Sequence, residues 1–155
     1  MIQTWFECKV KYAKVSQNGS EGLVTESFLF DSVSYTDAEA RVTKQMMECV
    51  KGGEFKIVSI SKSQIAEVFA QHDGECWYKA VINLVTIDEA AGREKKMRAA
   101  YLLKADCFTD AVKNLEDCLS FMVIPYIIQS LAISPIVEVF PYDLDAAAAE
   151  MQKAN

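Results

Sequence analysis

Histidine is the usual general base near neutral pH, and His72 is the only one in the chain. It stands in the stretch Ala70-Gln71-His72-Asp73-Gly74-Glu75, and no Ser or Cys recurs at a spacing that would pair it with a nucleophile. It reads as a solvated linker histidine, and a single histidine excludes a multi-histidine metal centre. The cysteines, Cys8, Cys49, Cys76, Cys107 and Cys118, are odd in number and widely spaced, which argues against a disulfide framework or a zinc knuckle. Cys8, Cys49 and Cys118 fall in apolar patterns and read as small hydrophobes. Two carboxylate pairs, Glu67 with Glu138 and Asp37 with Asp110, hold equivalent places in two similar segments. A first-turn Asp favours the helix dipole, and a Glu between apolar strand residues faces solvent, so neither pair is expected to be catalytic. No Gly-rich phosphate loop is present. No catalytic residue, metal site or cofactor is expected, and the chain leans towards a non-enzyme.

Tryptophan and lysine offer a different chemistry. By alternation, Phe6, Cys8, Val10 and Tyr12 share one strand face, and Trp5, Glu7, Lys9 and Lys11 the other. A second strand places Trp77 and Lys79 away from Tyr78, Ala80, Ile82 and Leu84 in the same way. Trp beside Lys suits stacking on a base or binding of an anionic group. Arg93, Lys95, Lys96 and Arg98 add a local basic cluster. The candidate ligand-binding residues are therefore Trp5, Lys9, Lys11, Trp77, Lys79, Arg93, Lys95, Lys96 and Arg98. The structural alternative is that the tryptophans pack against a second subunit or a C-terminal helix, with a homodimer as its commonest form.

The elements that must position these residues are written twice. Trp5-Phe6-Glu7-Cys8-Lys9-Val10 matches Trp77-Tyr78-Lys79-Ala80-Val81-Ile82, and Tyr35-Thr36-Asp37-Ala38 matches Phe108-Thr109-Asp110-Ala111. The segment 57–69 matches 128–140, and the three offsets are 72, 73 and 71 residues. Such order and spacing point to tandem duplication. Each copy reads strand, strand, helix, strand: first strands over 5–15 and 77–87, second strands near 23–33 and 96–106, third strands near 55–62 and 127–133. The Glu-Val-Phe blocks add a short strand each. Thr36 and Glu39 form a capping-box pattern at the first helix, and Thr109 opens the second. Ala38, Val42, Met46 and Cys49 make one apolar stripe, and Ala111, Leu115, Cys118 and Met122 the other. Gly52-Gly53 stops the first helix and Pro125 limits the second.

A hairpin with one helix covers its sheet only in part, so the two copies are expected to share a sheet. The expected fold class is α+β: a two-layer sandwich of mainly antiparallel sheet with the helices on one face. The 155 residues read as one domain with repeats over 5–69 and 77–140 and a short C-terminal helix over 143–153. A net charge of −6 disfavours a general duplex-binding protein, and no apolar run reaches the roughly 20 residues of a membrane helix. With no signal-peptide pattern at the N-terminus, a cytoplasmic protein is expected.

The opening Trp5–Tyr12 segment, Tyr35-Thr36-Asp37-Ala38-Glu39-Ala40, Trp77-Tyr78-Lys79-Ala80 and the closing Ser134–Phe140 together resemble a family of small bacterial and phage proteins known as a domain of unknown function. The resemblance spans residues 5–140 and rests on framework residues. It brings no activity, cofactor or site residue, and its phage association implies an accessory role. The expected function is a non-enzymatic binding protein using a sheet face or a cleft between the repeats. The alternative is a small-molecule binder that sequesters an anionic nucleotide, with an enzyme using the repeated carboxylates behind it.

Overall fold

The structure, a computed structural model, describes residues 4–15, 17–50 and 53–141. The described elements run β1 (Trp5–Val15), β2 (Glu21–Asp31), α1 (Tyr35–Cys49), β3 (Phe55–Lys62), β4 (Ile65–Phe69), β5 (Cys76–Asp88), β6 (Arg93–Ala105), α2 (Phe108–Cys118), β7 (Tyr126–Ile133) and β8 (Ile136–Phe140). The proposed helix over 143–153 lies outside the described residues. The fold is α+β and mostly antiparallel, as its strand and helix patterns predict. The described residues form two four-stranded sheets, ordered β3-β1-β2-β8 and β4-β6-β5-β7, where one shared sheet was expected. The chain divides into two compact units, Met1–Ser63 with Glu138–Asn155, and Gln64–Val137.

The reason lies in the closing strands. β4 follows β3 but pairs in parallel with β6, and β8 follows β7 but lies beside β2. Each three-stranded set thus gains its fourth strand from the other half of the chain, and neither sheet has to merge with the other to reach a stable width.

In the first unit the β1–β2 hairpin runs in unbroken register from Trp5↔Asp31 to Val15↔Glu21. Phe6, Cys8 and Val10 pack with Phe28 and Phe30 against Ala38, Val42 and Met46 of α1. The second unit repeats this with Tyr78, Ala80 and Ile82, Tyr101 and Leu103, and Ala111, Leu115 and Cys118 of α2. The expected stripes hold except at Cys49, which is exposed, because the helix ends there and Val50 caps it by donating to the Met46 carbonyl (2.8 Å). Met122 lies beyond α2 and is only partly buried against its core. The hairpin turns carry positive-φ glycines, Gly19 (83°) and Gly92 (63°), a conformation that glycine adopts without a Cβ penalty.

Helix starts differ from expectation by two residues. Ser34, not Thr36, is the N-cap of α1: its hydroxyl accepts from the Asp37 amide (3.1 Å), and the Asp37 carboxylate accepts from the Val33 amide (3.0 Å). The reciprocal pair is Ser34 and Asp37 rather than Thr36 and Glu39, because Tyr35 already has helical geometry. In α2 the equivalent N-cap is Cys107, with the same extended backbone (φ −150°, ψ 172°, against −159° and 169° at Ser34) and no side-chain cap. Thr109 therefore sits inside the helix. Cys107→Ser is expected to raise the unfolding free energy by about 1 kcal/mol and Ser34→Ala to lower it by about as much, both read by urea denaturation.

Candidate anion-binding face

The alternation of β1 sends Phe6, Cys8 and Val10 to the helix and leaves Lys9 and Lys11 on the opposite face. Both are exposed. Their neighbours come from β3 through a β-bulge: Lys9 pairs with Ser59 but Val10 pairs with Ile57, so Val58 is the extra residue. The bulge switches the phase of β3. Ile60 faces the helix on one side of it and Ile57 and Phe55 on the other, and Lys56 falls directly opposite Lys11. Cα atoms so paired lie about 5 Å apart. Lys9, Lys11 and Lys56 form an exposed triad flanked by Ser59 and Thr25. None of the three has an acidic partner within ion-pair distance among the described residues. Like charges directly opposite each other in a sheet are destabilising.

Lys56 is the residue that alternation alone misses. The signal was present in the apolar residues of β3, which fall at 55 and 57 and then at 60, breaking the period of two. The second unit breaks phase at the equivalent place, between Val81↔Ser130 and Ile82↔Ile128.

Trp5 and Trp77 are not open stacking platforms: they are 3% and 8% exposed. Their indole Nε1 atoms are buried with no hydrogen-bond acceptor among the described residues. Trp77 does meet a cation, but it is Lys104, the residue paired with it on β6, whose Nζ lies 5.0 Å from the ring centroid. Lys79 is exposed and pairs with Leu102 instead. The 93–98 cluster does not make one patch. On β6 the alternation turns Arg93 and Lys95 to the helix side and Lys96 and Arg98 to the other, although all four are exposed. Arg93 pairs across the strands with Asp88.

The remaining polar residues have structural partners. His72 contacts the Asp117 carboxylate through Nε2 at 2.8 Å, joining the segment before β5 to the end of α2 where a free solvated side chain was expected. Asp37 serves the α1 cap. Glu67 and Glu138 are both exposed, on β4 and β8. Burial, with the Glu7 charge, pushes the Cys8 thiol up to about 11 against the opposing pull of Arg41, and burial also raises Cys118. Both stay protonated at neutral pH, and thiols are poor nucleophiles in that form. Among the described residues no group of three His, Cys, Asp or Glu is placed to hold a metal ion.

One family model, described as a domain of unknown function (DUF4494), matches residues 4–142. The chain belongs to that family. As a DUF4494 domain it carries a framework over nearly its whole described length, from β1 to β8. No curated protein and no solved structure matches it. Among the described residues of this DUF4494 domain no helix is long and apolar enough to cross a membrane.

Proposed function

We propose that this protein is a non-enzymatic binding protein and that the lysine face of its first sheet engages an anionic partner. The observation that carries this is the pairing of Lys11 directly opposite Lys56, with Lys9 beside them and no ion pair to any of the three among the described residues. An arrangement that costs stability in the free protein is relieved when an anion sits over it. The opposed pair recruits negative charge, and the Ser59 and Thr25 positions beside it offer hydroxyls for hydrogen bonds. A cytoplasmic accessory role, of the kind the likeness to small bacterial and phage proteins implies, fits such an activity.

Lys11→Glu separates binding from folding. It converts a repulsive cross-strand pair into an attractive one, so the free variant is expected to gain roughly 0.2–1 kcal/mol. The same change should weaken anion binding at least tenfold. Thermal-shift titrations with ATP and with inorganic polyphosphate read both effects, since a ligand at 100 times its Kd adds about 2.7 kcal/mol. A shift with ATP but not with polyphosphate would assign the face to a small nucleotide, the second reading of these residues. Shifts of equal size in the native and variant proteins, or none with either anion, would sink the proposal.

A further inference from the structure

The two strands that cross between units are near copies. Ile65-Ala66-Glu67-Val68-Phe69 of β4 and Ile136-Val137-Glu138-Val139-Phe140 of β8 share four of five residues. Each follows a third strand after two residues, Ser63-Gln64 or Ser134-Pro135, and each occupies a sheet edge. Each ends on a phenylalanine stacked on a ring of the strand it joins. Phe69 lies 4.9 Å from Tyr101 at 19°, and Phe140 lies 4.8 Å from Phe30 at 20° and 6.0 Å from Phe28. The edge of β2 is therefore shaped for one short strand sequence, with backbone pairing for affinity and an aromatic seat for its last residue. Arg41 completes the seat: its guanidinium lies 5.7 Å from the Phe30 centroid and donates to the Pro141 carbonyl (3.2 Å).

The two anchors are unequal. Ile65 and Phe69 are buried, whereas no residue of β8 is, and Val137 is 47% exposed. β8 buries the least apolar surface of the two and hangs from a two-residue connection containing Pro135. Short hinges of this kind favour exchange of an element between copies. We propose that β8 is an exchangeable strand, and that the β2 edge with Phe28, Phe30 and Arg41 accepts β8 from a second copy of this chain to give a strand-exchanged dimer. A second copy is the partner because it carries the same strand that this edge already holds, so every contact made within one chain is remade between two. Concentration then sets the balance between the closed monomer and the dimer. The lysine triad lies on β1 and β3, so this proposal stands apart from the anion-binding one.

Full-length chains bearing two different affinity tags, co-refolded at increasing concentration, test it. A dimer that carries both tags and grows with concentration is expected by sequential pull-down and light scattering. An excess of a synthetic peptide spanning Ser134–Pro141 should fill the β2 edge and return the protein to monomer, while the same peptide with Phe140→Ala should not. In the full chain, Phe140→Ala takes the same ring contacts from the closed monomer and from the dimer, so the dimer fraction at a given concentration should stay within about twofold of the native one. A chain monomeric at every concentration, or a dimer that the native peptide leaves unchanged, overturns the proposal. The peptide experiment uses the native chain and decides the matter even where the Phe140→Ala chain fails to fold.

Discussion

Leu115→Ala is expected to lower the unfolding free energy by about 3 kcal/mol. Leu115 is 0% exposed and is the central α2 residue of a core that includes Tyr78, Ala80, Ile82, Tyr101 and Leu103. Its removal takes three carbons from a site walled by a helix and a sheet, and such a wall relaxes only in part. The equivalent residue in α1 is Val42, also 0% exposed. Val42→Ala removes one carbon fewer, so its loss should be smaller by about 0.8 kcal/mol. Urea denaturation measures both. A cost under about 1 kcal/mol for Leu115→Ala would mean that this core collapses around the gap, contrary to the tight burial of its lining.

Gly74→Ala should cost nearly as much, for a different reason. A Cβ at Gly74 would lie 2.5 Å from the backbone N, Cα and C of Ala105, a contact that no rotamer change can relieve. The segment is pinned on both sides. The Glu75 amide donates to Asp106 (3.0 Å), His72 contacts Asp117 (2.8 Å), and β5 begins two residues on, with Cys76 paired to Ala105. Forcing the chain away from β6 is expected to cost about 3 kcal/mol, the upper end for overpacking, or roughly 6–12 °C in Tm for a chain of this size. An unchanged Tm by calorimetry would show that the 70–75 segment can shift freely. Gly22, whose added Cβ would meet nothing within 4 Å, is the control and should tolerate Ala.

Much of the fold was legible because its signals are local. Alternation located β1 to the residue, the third strand was expected near where β3 lies, and the 3.6-residue stripe picked out Ala38, Val42, Met46, Ala111, Leu115 and Cys118 as core. Cap chemistry was less legible. Ser34 and Thr36 are both competent N-caps, and only the backbone at Tyr35 decides between them. The site was half legible. Lys9 and Lys11 follow from the period of β1, whereas Lys56 joins them only through a bulge that sets the register between strands more than 40 residues apart in the chain.

The pattern of apolar and polar residues was enough for the element order and the helix-facing cores, since each depends on periods of two or 3.6 within a single segment. Partner choice over long distances was beyond it. β4 and β8 have almost the same sequence, and nothing within either strand says that it should cross to the other sheet rather than close its own. The same holds for Trp5 and Trp77, which alternation placed on the correct face but whose burial depends on what the whole chain brings over that face. Backbone pairing is available to any strand at any edge, and only the packing that follows, such as Phe140 on Phe30 and Phe69 on Tyr101, selects one edge over another.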